Sequence, residues 1–130
     1  MVRGASVEEA QAAIFDYTCV NDVTAIELLQ EDPNFAQWCR SKGFDTFTCL
    51  GPAIVTPGNG FDWRAANVVT ALDDMIFSPA EQVSLLCDMT LVPGDVIACG
   101  TLIGVDSIKD GARVDVAIAG IGTLSNVLAA

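Results

Sequence analysis

Arg113-Val114-Asp115-Val116-Ala117-Ile118-Ala119 runs through Gly120-Ile121 into Gly122-Thr123-Leu124-Ser125-Asn126-Val127. In each half apolar residues alternate with small or polar ones. That is the period-2 signature of a strand with one face buried, and the glycines between the halves supply the turn. Val96 to Thr101 carries the same pattern after a Pro93-Gly94-Asp95 turn. The C-terminal third is therefore predicted to be a β-meander.

Upstream, strands and short helices alternate. Ser78-Pro79-Ala80-Glu81 places an N-cap, an N1 proline and an N3 acid in order, which predicts a helix from Pro79 to about Met89 with Val83, Leu86 and Cys87 inward. Leu50 to Thr56 and Ala65 to Ala71 read as strands on either side of a Pro57-Gly58-Asn59-Gly60 turn. Ser6 and Glu9 have capping-box spacing for a helix over Val7 to Ile14, and Phe15 to Val23 is a strand ending in polar Asn21-Asp22. Ala25 to Glu31 gives one or two helical turns. Asp32-Pro33-Asn34 opens a further helix through Trp38 to Ser41, closed by Lys42-Gly43. The expected class is α+β, mostly β, in one domain over residues 1–130.

The chain has 130 residues, 17 acidic against 6 basic, a net charge of -11 and a mean hydropathy of +0.46. Such a field repels phosphate backbones and anionic headgroups, so nucleic acid and membrane surfaces are not expected partners. The opening MVRGASVEEAQ has no apolar h-region, and no apolar run reaches the ~18 residues of a membrane helix. A cytoplasmic location is expected. Five dispersed cysteines without C-x-x-C pairs read as buried free thiols. The absence of histidine argues against zinc and removes the Ser/His/Asp and Cys/His solutions to nucleophilic catalysis.

Three polar groups stand at strand or helix ends beside apolar runs: Asp22, Lys42 and Thr101. Each has a plain reading. Asp22 after Asn21 suits an Asx-turn, Lys42 at a helix C-terminus suits a solvated, dipole-favoured charge, and Thr101 after Gly100 suits a turn.

The same positions lie in segments that resemble the fumarylacetoacetate hydrolase family. Tyr17-Thr18-Cys19-Val20-Asn21-Asp22-Val23-Thr24-Ala25 is similar to its Y-T-x-x-N-D-V-[ST]-A, and Lys42 to Phe47 to its K-[SG]-F-D-T-F. Leu50-Gly51-Pro52, Asp74 to Ser78, Met89-Thr90-Leu91 with Pro93 to Ile97, Gly100-Thr101 with Gly104-Val105, and Gly120 to Asn126 follow in the family's order. The resemblance implies the C-terminal part of a rolled, mixed, barrel-like β-fold. Its implied chemistry is cleavage, decarboxylation, isomerisation or hydration of a small anionic 2-oxo or β-diketo acid through an enolate held by Mg²⁺ or Mn²⁺. It further implies Asp22 as metal ligand, Lys42 as the catalytic group that stabilises developing charge, and Thr101 with Gly100 as substrate-binding. A homodimer or a partner chain is expected, since family members commonly dimerise and open strand edges invite pairing.

Several positions depart from the family pattern. Its Glu-x-Glu pair of metal ligands precedes the N-D-V segment, and Glu8-Glu9 is not that motif. Ile26 and Leu29 stand where the family has Arg and Gln, Leu102 replaces Pro, Asp106 stands where Gly is common, and a hairpin is missing between Ala71 and Asp74. An inactive structural or binding remnant is therefore the alternative to an enzyme domain.

Overall fold

A computed structural model describes residues 3–71, 75–77, 90–99 and 107–129. The predicted helix at 79–89 and the predicted site residues Gly100 and Thr101 lie outside them.

The first element is α1 (Val7–Ala12), where Ser6 Oγ accepts from the Glu9 amide at 3.2 Å and Glu9 returns its carboxylate to the Ser6 amide at 2.8 Å. This reciprocal cap satisfies two otherwise orphaned donors. Next come β1 (Tyr17–Asn21), α2 (Ile26–Gln30), α3 (Trp38–Lys42) and β2 (Cys49–Val55). β3 (Val68–Ala71), β4 (Met75–Phe77), β5 (Arg113–Ile118) and β6 (Gly122–Val127) complete the described elements.

The predicted helix from Asp32 is shorter than expected. Asp32 Oδ1 accepts from the Asn34 amide at 2.9 Å, so the segment closes as an Asx-turn and helix begins only at Trp38. The strand predicted from Ala65 starts at Val68, because the Ala65 and Ala66 amides bond back to Asp62 and Trp63 in turns. Val96 to Cys99 is irregular rather than a strand. Its alternation meets no partner strand among the described residues, and alternation without a ladder does not make a sheet.

β1 and β2 form a two-stranded antiparallel sheet; β4, β3, β5 and β6 form a four-stranded sheet in that order. Every described pairing is antiparallel, and the described strands close no barrel. Mixed α+β architecture dominated by strands is thus observed, while the expected mixed and barrel-like character is not. The two sheets meet through Cys19 of β1, Val114 and Val116 of β5, Leu124 of β6 and Ile121 between them, all buried. Alternation sets this up, since Val114 and Val116 share one face of β5 while Asp115 faces away. Gly122 lets the sheets approach: at φ 128° it sits where side chains are strained, and a Cβ there would lie 2.9 Å from Pro52 Cγ.

The cysteines are less buried than expected. Cys19 is fully buried and burial raises its thiol pKa, but Cys39 and Cys99 are exposed and Cys49 is half-buried. Cys87 lies outside the described residues. A short helix has little inward face, which leaves Cys39 of α3 in solvent. No described helix is long and apolar enough to cross a membrane.

Candidate functional site

Along β1, side chains alternate between faces. Cys19 points into the core, and Asn21 lies two residues further on the same face. Asp22 therefore leaves the strand on the opposite side. There its Oδ2 forms an ion pair with Lys42 Nζ, the last residue of α3. The Asp22 carboxylate thus engages an ammonium rather than closing a turn, and Lys42 is not a free solvated charge.

Two anchors bracket the segment that carries Asp22. Before it, Asn21 Nδ2 donates to Asn126 Oδ1 of β6 at 3.2 Å. After it, the Ala25 amide donates to the Ser41 carbonyl at 2.9 Å, which ties the start of α2 to the residue before Lys42. Ser41 is fully buried, and its Oγ donates to the Trp38 carbonyl at 3.0 Å. Trp38 and Lys42 are four apart, one turn along α3, and Lys42 Nζ stands 5.7 Å from the Trp38 ring centroid. The ammonium is thus held between a carboxylate and an aromatic face, with the Lys42 side chain 28% exposed and that of Asp22 37%.

The segment from Gly43 to β2 carries backbone strain. Thr46 and Thr48 have φ of 69° and 56°, a left-handed region that β-branched residues avoid. Such conformations persist only where surroundings impose them, and they concentrate at functional sites. Cys49 Sγ donates to the Thr46 carbonyl at 3.1 Å and helps hold the turn.

The site is a surface constellation. A shallow depression of about 330 Å³ lies elsewhere, lined by Asn59, Phe61, Asp62, Asn67 and Gly120 among others, and includes neither Asp22 nor Lys42. Among the described residues no three acidic or cysteine side chains cluster as a metal site.

The structure brings Asp22 and Lys42 together, twenty residues apart in sequence. Sequence reading missed Trp38, Ser41 and Asn126 as contributors. The Trp38–Lys42 helical spacing was a legible signal; the Asn21–Asn126 contact, across 105 residues, was not.

Residues 1–129 match the family described as fumarylacetoacetate (FAA) hydrolase C-terminal. The chain belongs to the fumarylacetoacetate hydrolase family. An uncharacterized protein of Methanocaldococcus jannaschii is 42% identical over 127 residues, covering 92% of this chain and 52% of that protein. An oxaloacetate tautomerase of Bacillus subtilis is 34% identical over 139 residues, covering 93% of this chain and 45% of the enzyme. A fumarylacetoacetate hydrolase from psychrophilic Exiguobacterium antarcticum superposes with a TM-score of 0.86 at 35% identity, covering 99% of this chain and 52% of that structure. This member of the fumarylacetoacetate hydrolase family thus spans about half the length of the curated relatives it matches.

Proposed function

We propose that this chain forms the C-terminal part of an enzyme domain acting on a small anionic 2-oxo or β-diketo acid through an enolate, with Asp22 and Lys42 as its charged working pair. The observation that carries the reading is their ion pair, formed by two motifs of the fumarylacetoacetate hydrolase family and flanked by the Trp38 ring. Relatives named as a hydrolase and a tautomerase support a family-level enzyme role.

Deprotonation next to a carbonyl places negative charge on oxygen, and a partly desolvated ammonium stabilises that charge more than water does. Lys42 supplies the ammonium, and Asp22 with Trp38 holds it in place. Thr101 and Gly100 are proposed to bind the substrate carboxylate. The Mg²⁺ or Mn²⁺ ion implied by the family does not fit the described residues alone: such an ion takes about six oxygen donors, and Asp22 offers one carboxylate already engaged by Lys42. Asp22 can be one ligand of a larger set, which in the family includes a Glu-x-Glu pair. The domain is proposed to work in the cytoplasm, as a homodimer or with a partner chain.

A second reading, an inactive structural or binding remnant, is favoured by Ile26 and Leu29 standing at positions that are polar in the family. Thermal unfolding with oxalate, a planar mimic of the enolate, separates the two, run with and without Mn²⁺ on the wild type and Lys42→Met. Ligand at ~100 times its Kd stabilises the native state by about 2.7 kcal/mol. A rise in Tm that Lys42→Met removes supports the enzyme reading, and enolisation of oxaloacetate at a Lys42-dependent rate completes it. An oxalate-insensitive Tm in every condition supports the remnant.

A further inference from the structure

The G-I-G-x-L-x-N segment ends in Asn126, to which the proposed chemistry gives no task. Its neighbour Leu124 is buried, and Asn126 lies two residues on along the same face of β6. β1 repeats the arrangement, with Cys19 buried and Asn21 two residues on. Each inward row thus passes from an apolar residue to an asparagine. The two amides meet where the sheets open, Asn21 Nδ2 donating to Asn126 Oδ1 at 3.2 Å with both residues half-buried.

We infer that Asn126 is a positioning residue for Asp22, acting through Asn21. Asn21 ends β1, and beyond it the ladder to β2 stops; the next backbone anchor is the Ala25 amide on Ser41. Between these points the Asp22 carboxylate meets Lys42, and the backbone is held only by Thr24 Oγ1 donating to the Asp22 carbonyl at 3.4 Å, which is long and local. The backbone that presents Asp22 to Lys42 is therefore anchored at the residue before it, whose side-chain amide donates to Asn126. Loss of the acceptor frays the end of β1 and lets Asp22 leave Lys42. The contact itself is independent of any substrate; its functional consequence rests on the reading of Asp22 and Lys42 as the working pair.

Lys42 and Lys109 are the only lysines, and Lys109 is exposed, so competitive amine labelling read by mass spectrometry gives a ratio with an internal reference. In the wild type Lys42 should label more slowly than Lys109. Asn126→Leu, which keeps the branched side-chain skeleton and removes the acceptor, should raise the Lys42 to Lys109 ratio about fivefold, the factor a hydrogen bond of ordinary net strength sets on an open–closed equilibrium. Asn126→Asp keeps Oδ1 and should restore the wild-type ratio. Asn21→Leu should match Asn126→Leu, and the double variant should add nothing further, as expected for two residues acting through one bond. A lower Tm in Asn126→Leu with an unchanged ratio would mean that the bond merely holds the sheets together, and would overturn the proposal. Equal labelling of Lys42 and Lys109 in the wild type would overturn it as well. Asn126→Ala serves where the leucine variant does not fold. None of these readouts uses substrate, so a negative oxalate or enolisation result leaves the test intact.

Discussion

Leu124→Ala tests the joint between the two sheets. Leu124 is 8% exposed and packs in the buried cluster with Cys19, Val114, Val116 and Ile121; its Cδ1 lies 3.7 Å from the position a Cβ on Gly51 would take. Its side chain therefore bridges β6 to both strands of the smaller sheet. Truncating a buried leucine removes transfer free energy and leaves a cavity, together costing about 2–5 kcal/mol. The neighbours lie on hydrogen-bonded strands that cannot easily collapse into the gap, so about 3 kcal/mol is expected. A domain of this size loses about 3–4 °C of Tm per kcal/mol, so the transition should fall by about 10 °C. The control is Ile54→Ala on β2, where Ile54 is 64% exposed and the loss should stay within about 0.5 kcal/mol. Both are measured by calorimetry or circular dichroism at one protein concentration. A fall below about 3 °C for Leu124→Ala would refute the two-sheet core. An equal fall for Ile54→Ala would mean that the outer face of β2 is covered in solution.

Three further outcomes are expected. Gly122→Ala should destabilise by more than about 1 kcal/mol in urea titration, because φ of 128° is strained for alanine and its Cβ would press on the stiff Pro52 ring. Thr18→Val removes a hydroxyl that donates to the Ala53 carbonyl at 2.9 Å and the Gly51 carbonyl at 3.2 Å, and should cost about 1 kcal/mol by the same assay. The Asp115 carboxylate is held below its ordinary pKa, first by the Ser125 hydroxyl and then by Arg113; a depressed folded-state pKa adds stability above the ordinary carboxylate value that is lost as pH falls through the lowered one. Tm against pH should therefore show a shallower acid limb in Asp115→Asn, with the two proteins converging at the lowest pH.

The elements legible in the sequence are those with a local cause. The Ser6–Glu9 cap, the alternation of β5 and β6 and the Gly43 end of α3 need only neighbouring residues, and each lies where spacing put it. The misread segments also have local causes that compete with the pattern. At Asp32 a side-chain turn displaces the helix, and at Ala65 two backbone turns delay the strand. β4 went unread because three residues are too few for a period, and its pairing with β3 is a tertiary fact. Within the site, Asp22 and Lys42 were visible as motif members, but each alone admitted a bland reading.

The sequence by itself determined the strand-dominated class, the family and the two charged residues proposed as the working pair, since alternation, capping and motif order are written in consecutive residues. Tertiary structure alone decided that Asp22 faces Lys42, that Trp38 lies beneath the ammonium, and that Asn126 supports Asn21. Such contacts depend on how two sheets and a short helix pack, and packing joins residues whose separation along the chain carries no periodic signal.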